Sequence, residues 1–152
     1  MDDDPLSFTI FTMDYKVTFR QLKDAFGKHQ NSIPKIEESD LRVLWMDDYY
    51  DGMLVGMLEY GNRKFRYEII TDFTENIRPR VFAIIELTQE QINEESYWNN
   101  LFIKYVGNHN NFDSDDELKQ HPQTMHHLFY DQYKQRTASN YDLNMVKGWF
   151  IQ

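Results

Sequence analysis

A chain of 152 residues, 41 % hydrophobic and 16 % aromatic, is long enough for one domain with a real core and too apolar for a disordered polymer. Its 25 Asp and Glu outnumber 16 Lys and Arg, giving a net charge of −9, which argues against a basic face for nucleic acid and for solubility or attraction to a basic partner. The absence of cysteine excludes disulfides, thiolate nucleophiles and cysteine-bound zinc, and fits a reducing compartment.

The N-terminal "MDDDPLSF" carries acids where a signal peptide would carry basic residues. No apolar run approaches the roughly 20 residues of a membrane span. The expectation is a cytoplasmic protein that engages neither membranes nor nucleic acid.

The elements follow in chain order. "SFTIFTMDYKV" (7–17) has the β-branched and aromatic content of a strand. Thr18 with Gln21 forms a capping-box pattern, Phe19, Leu22 and Phe26 recur at helical spacing, and Gly27 is placed to end that helix. A loop is expected over 28–40, with Pro34 inside it. Strands are expected over 41–46, 53–60, 64–70 and 80–87. The third has strict period two, Phe65, Tyr67 and Ile69 alternating with Lys64, Arg66 and Glu68. Gly61-Asn62 is a two-residue hairpin turn, and 71–79 a loop.

Thr88, with Gln91 three residues on, caps a helix whose stripe is Tyr97, Trp98, Leu101, Phe102, Tyr105 and Val106, with Gly107 just past its end. Ser114 and Glu117 suggest a third capping box opening a short helical turn that Pro122 interrupts, and the helix restarts over 122–136. The tail, 141–152, is apolar enough to dock as a strand or an extended segment. Together these predict a single α+β domain over 1–152, an antiparallel meander of about five strands with C-terminal helices packed on one face.

Candidate chemistry centres on "WMDDYYDGMLVG" (45–56). Asp51-Gly52 between apolar strands is a hairpin signal, which makes 49–52 a turn and leaves the acids at a solvated edge. Calcium loops need ligands at fixed alternate positions and a closing Glu, a spacing "DDYYDG" lacks. Acids beside rings fit a docking surface instead, with Trp45, Asp47, Asp48, Tyr49, Tyr50 and Asp51 as its partner-binding residues. Gly52 and Gly56 suggest a bend or a ring packed on backbone.

His109 could pair with Asp113 or with Asp51 as a carboxylate–histidine site of a hydrolase or transferase, and His121, His126 and Asp131 could in principle hold zinc. Neither set has a nucleophile motif or an H-E-x-x-H pattern beside it, and no phosphate-binding glycine motif suggests a nucleotide. The reading from the residues therefore assigns no catalytic residue, no metal and no cofactor, and makes an enzyme the second choice.

The segments Trp45–Gly56, Phe65–Ile70, Glu86–Thr88 and Phe102–His109 resemble a pattern found in a group of small, uncharacterised acidic bacterial proteins, W-x-D-D-Y-Y-D-G-x-L-x-G followed by an aromatic-rich strand, "ELT" and F-x-x-x-V-G-x-H. Met53 stands where that pattern more often has proline. In size and acidity such chains are similar to immunity proteins that neutralise secreted toxins. The resemblance assigns no activity; the net charge of −9 and the acid–aromatic cluster point to a non-enzymatic binding module, immunity-like or regulatory, that docks a basic protein partner.

Overall fold

The computed structural model describes residues 19–72, 79–136 and 141–152. The strand expected over 7–17, the Thr18 cap and most of the 71–79 loop lie outside them. Five antiparallel strands form one sheet in sequence order: β1 (Arg42–Tyr49), β2 (Met53–Tyr60), β3 (Arg63–Ile69), β4 (Val81–Ile85) and β5 (Val146–Ile151). The helices are α1 (Phe19–His29), α2 (Gln89–Tyr105) and α3 (Gln123–Tyr133). The chain is thus α+β, with two of the three helices following the first four strands.

Turn chemistry sets the meander. Gly61 and Asn62 have φ of 56° and 64°, the left-handed pair that lets a two-residue loop match strand twist. Between β1 and β2 the chain turns through Asp51 (φ 50°) and Gly52 (φ 135°), with the Tyr50 N–H donating to the Gly52 carbonyl at 2.9 Å. The tail forms β5, and its Trp149 exchanges backbone hydrogen bonds with Pro34 and Ile36, so part of the 28–40 loop lies alongside it.

Cross-strand register separates two faces. Met57, Arg66, Ile85 and Val146 lie in one row, and Gly56, Tyr67, Ile84 and Gly148 in the next. Successive residues alternate faces, so these rows belong to opposite sides. On the first side Leu44, Trp45, Met57, Ala83, Ile85 and Val146 pack with Phe26 of α1, and Ile92 of α2 joins them. On the second, Leu54, Leu58, Phe65, Tyr67, Ile69, Phe82, Ile84 and Phe150 form an aromatic-rich core. Phe82 and Phe150 stack at 4.9 Å, and Tyr67 meets both edge-on. Gly56 has no room for a side chain, because a Cβ there would sit 2.1 Å from the Trp45 carbonyl and 2.6 Å from the Tyr67 hydroxyl. A ring does pack on that backbone.

Three local expectations are corrected. Gly27 lies inside α1, which runs two residues further and passes into a 3₁₀ turn at Gln30–Ser32. Gly27 does not take the left-handed φ that would terminate a helix there. No helical turn opens at Ser114, whose hydroxyl accepts from Asp116 N–H at 3.1 Å. Asn108 instead clamps this loop, its amide donating to the Glu117 carbonyl and its oxygen accepting from Lys119 N–H. The stripe read on α2 is inward only in part, with Trp98 and Phe102 packed on α3 and Val106 buried. Tyr97 is 54 % exposed, while Glu95 and Asn99 are the buried residues of the helix. Its N-terminus is as expected, with Thr88 and Gln91 capping each other's backbone N–H groups at 3.1 and 2.8 Å.

Candidate functional site

The segment 45–52 divides between surface and interior. Asp48, Tyr49, Tyr50 and Asp51 are exposed at the end of the β1–β2 hairpin, the two rings by 59 % and 54 %. The tip is anchored from below by Arg80, which is fully buried. Its guanidinium donates to the Tyr50 carbonyl at 2.6 Å and to the Met53 carbonyl at 3.2 Å, gripping the backbone on both sides of the turn. Asp48 also lies near the Tyr130 phenol of α3, whose pKa is raised, by burial first and by that carboxylate second.

Trp45 and Asp47 point the other way. Trp45 is 3 % exposed and belongs to the helix-side core, so its ring is not offered to a partner. The Asp47 side chain is only 15 % exposed and lies 3.6 Å from Arg66. Arg66 is the centre of a buried ionic cluster. Its Nε donates to Glu68 at 2.6 Å, its Nη1 lies 3.2 Å from Glu95 of α2, and its guanidinium sits over the Tyr141 ring. Glu95 in turn accepts from Arg136, just past α3, at 2.5 Å, and Arg136 donates to the Tyr133 hydroxyl. The five charged side chains are each 15 % exposed or less.

Burial dominates the protonation of this cluster. It pushes Asp47 up to about 7, with Arg66 opposing and Glu95 adding to the rise. Glu68 is also raised by burial, against the pull of Arg66. For Arg66 burial disfavours the charge, but Glu68, Tyr141, Glu95 and Asp47 outweigh it and hold the guanidinium firmly protonated. The cluster ties β1 and β3 to α2 and to the end of α3; its polar groups are turned on one another rather than outward.

The other sequence candidates are engaged locally. Asp113 pairs with Arg42 at 2.9 Å rather than with His109. The His109 ring lies 5.7 Å from Phe102, and its buried Nδ1 has no hydrogen-bond partner among the described residues; Asp51 is exposed in the β1–β2 turn. His121 and His126 each place Nε2 on a backbone carbonyl, of Ile103 and His121, and Asp131 pairs with Lys134. Among the described residues no three His, Asp or Glu side chains group so as to hold a metal ion. A groove of about 450 Å³ opens on the aromatic-rich face between Ile36, Tyr60, Phe65 and Ile84. The Arg63 at its rim is already engaged by Glu86 at 2.6 Å.

Sequence reasoning missed Arg66, Glu95, Arg136 and Arg80. Only Arg80, alone at the head of an apolar strand, carried a local signal. Comparison with protein-family models, with curated proteins and with solved structures finds no match to this chain. Among the described residues no helix is long and apolar enough to cross a membrane.

Proposed function

We propose that the protein is a non-enzymatic binding module, immunity-like or regulatory and cytoplasmic, that docks a basic protein partner through the exposed end of the β1–β2 hairpin. The observation that carries this reading is the pairing of two exposed tyrosines with two exposed carboxylates, Asp48, Tyr49, Tyr50 and Asp51, on a tip whose backbone is clamped by Arg80. A clamped tip loses little conformational freedom on binding, which leaves more of the contact energy for affinity. The excess of negative charge would speed encounter with a cationic surface, and the tyrosines would supply desolvated contact once the surfaces meet. Trp45 and Asp47 have no part in the contact, being turned into the core. The resemblance of chain size and acidity to immunity proteins supports the same class of partner.

The test is capture of partners on the immobilised protein at low and then high salt, followed by stopped-flow association with the captured protein. The expected partner is basic, its on-rate falls steeply with salt, Asp48→Asn with Asp51→Asn slows association, and Tyr49→Ala with Tyr50→Ala speeds dissociation. An on-rate indifferent to salt and to both carboxylates overturns the reading.

A further inference from the structure

The buried cluster beneath the helices does not balance. Within ion-pair distance of one another among the described residues, Asp47, Glu68 and Glu95 bring three carboxylates to two guanidiniums, Arg66 and Arg136, while Lys23 of α1 acts on Glu68 and not on Asp47. The geometry identifies the member without a cation of its own. Glu68 holds Arg66 at 2.6 Å and Glu95 holds Arg136 at 2.5 Å, whereas Asp47 stands 3.6 Å from an Arg66 already engaged, and its buried Oδ2 has no hydrogen-bond partner among the described residues.

We propose that this cluster is a proton-responsive tie between the sheet and the C-terminal helices: it binds one proton, on Asp47, and release of that proton weakens the attachment of α2 and α3 to the sheet. The groups acting on Asp47 are Trp45 on its own strand, Arg66 and Tyr67 of β3, Glu95 of α2, Tyr133 of α3 and Arg136 just past it; Arg66 is shared with Glu68 and Tyr141, and Lys23 of α1 acts on Glu68. With the proton on Asp47, the two short pairs, Arg66–Glu68 and Arg136–Glu95, keep their cations undivided. A buried carboxylate that keeps its proton to higher pH than in the unfolded chain makes the fold progressively less stable as pH rises from its ordinary value, 3.8, to its folded value, about 7, with no further change above. This device is independent of the docking tip.

The experiment is thermal unfolding of the full chain and of Asp47→Asn between pH 5 and pH 8. Asp47→Asn removes the charge but keeps the shape. Its melting temperature is expected to exceed that of the parent by on the order of 5 °C at pH 8, with the gap closing as pH falls toward 5. Asp48→Asn, which removes an exposed charge one residue away, is expected to leave the pH profile unchanged. Amide exchange, corrected for its intrinsic pH dependence, is expected to show α2 and α3 losing protection before the strands as pH rises. A gap that does not vary with pH, or an Asp47→Asn chain less stable than the parent at pH 8, overturns the proposal. If that variant does not fold, the carboxyl-carbon NMR titration of the parent decides: an Asp47 midpoint near neutrality upholds it, and one in the ordinary carboxylate range overturns it.

Discussion

Strand β3 presents two kinds of interior from one run of seven residues. Phe65, Tyr67 and Ile69 face a dry core in which aromatic rings stack and meet edge-on. Arg66 and Glu68, one residue out of phase, face the helices and are also buried, at 8 % and 5 % exposure. On the first side stability comes from apolar area removed from water and from contact between rings. On the second, burial costs free energy that only partners recover, and the partners come from α2 and from the end of α3. The lesson is that one side of this sheet tolerates changes that preserve volume, while the other tolerates changes that preserve charge balance.

The largest effects should separate the two sides. Arg66→Met removes the cation that Glu68 binds and that Asp47 lies beside, leaves Glu95 with only Arg136, and is expected to cost about 3–5 kcal/mol in urea unfolding at pH 8. Replacing Arg66 and Glu68 together by Met and Leu should cost less than Arg66→Met alone, since a buried pair removed whole leaves fewer orphaned charges. If the double variant is the worse of the two, the ionic side is not governed by charge balance. Phe82→Ala, on the dry side, is expected to cost a similar 3–5 kcal/mol by opening a cavity, but with no dependence on pH between 6 and 8. The same total from two mechanisms is distinguished by that pH test.

A smaller effect is expected at the seam between β1 and β2. In Gly56→Ala the new methyl meets the Trp45 carbonyl and the Tyr67 hydroxyl, so backbone rather than a flexible side chain must give way. A loss of about 1–3 kcal/mol is expected from overpacking, measurable by the same unfolding curves. Because Trp45 lies on the helix side and Tyr67 on the dry side, near-UV circular dichroism should report both environments changing.

Much of this architecture is legible in the sequence, and the exceptions have a common cause. Gly61-Asn62 and Asp51-Gly52 mark the hairpins because positive φ is a property of the local chain. Period two in β3 reveals which residues share a face, but it does not say which faces are covered. Nothing local marks Arg66 and Glu68, the polar half of that alternation, as buried. The groups that let them be buried, Glu95 and Arg136, lie far along the chain and on other elements. The same non-local partnership takes Asp47 out of the acidic surface, though Asp48, one residue on, stays exposed. At Ser114 the capping pattern is present and the helix is not, because Asn108 binds that loop from across it. Local rules hold where the chain bonds to itself nearby and fail where a distant side chain offers a better partner.

The smallest prediction bears on how α2 is held. Thr88 satisfies the Gln91 N–H and receives the Gln91 side chain on its own N–H, so its contribution is confined to the first turn. Thr88→Ala is expected to cost about 1 kcal/mol, the usual value of an N-cap. Neither capping group titrates near neutrality, so this cost should be the same at pH 6 and pH 8. Asp47→Asn acts on the same helix through Glu95 and should vary between those pH values. Equal pH profiles for the two variants would mean that α2 responds as one rigid unit to any loss at either end. Unequal profiles would show that its cap and its buried ionic contact contribute separately, the first through the backbone and the second through the balance of charge.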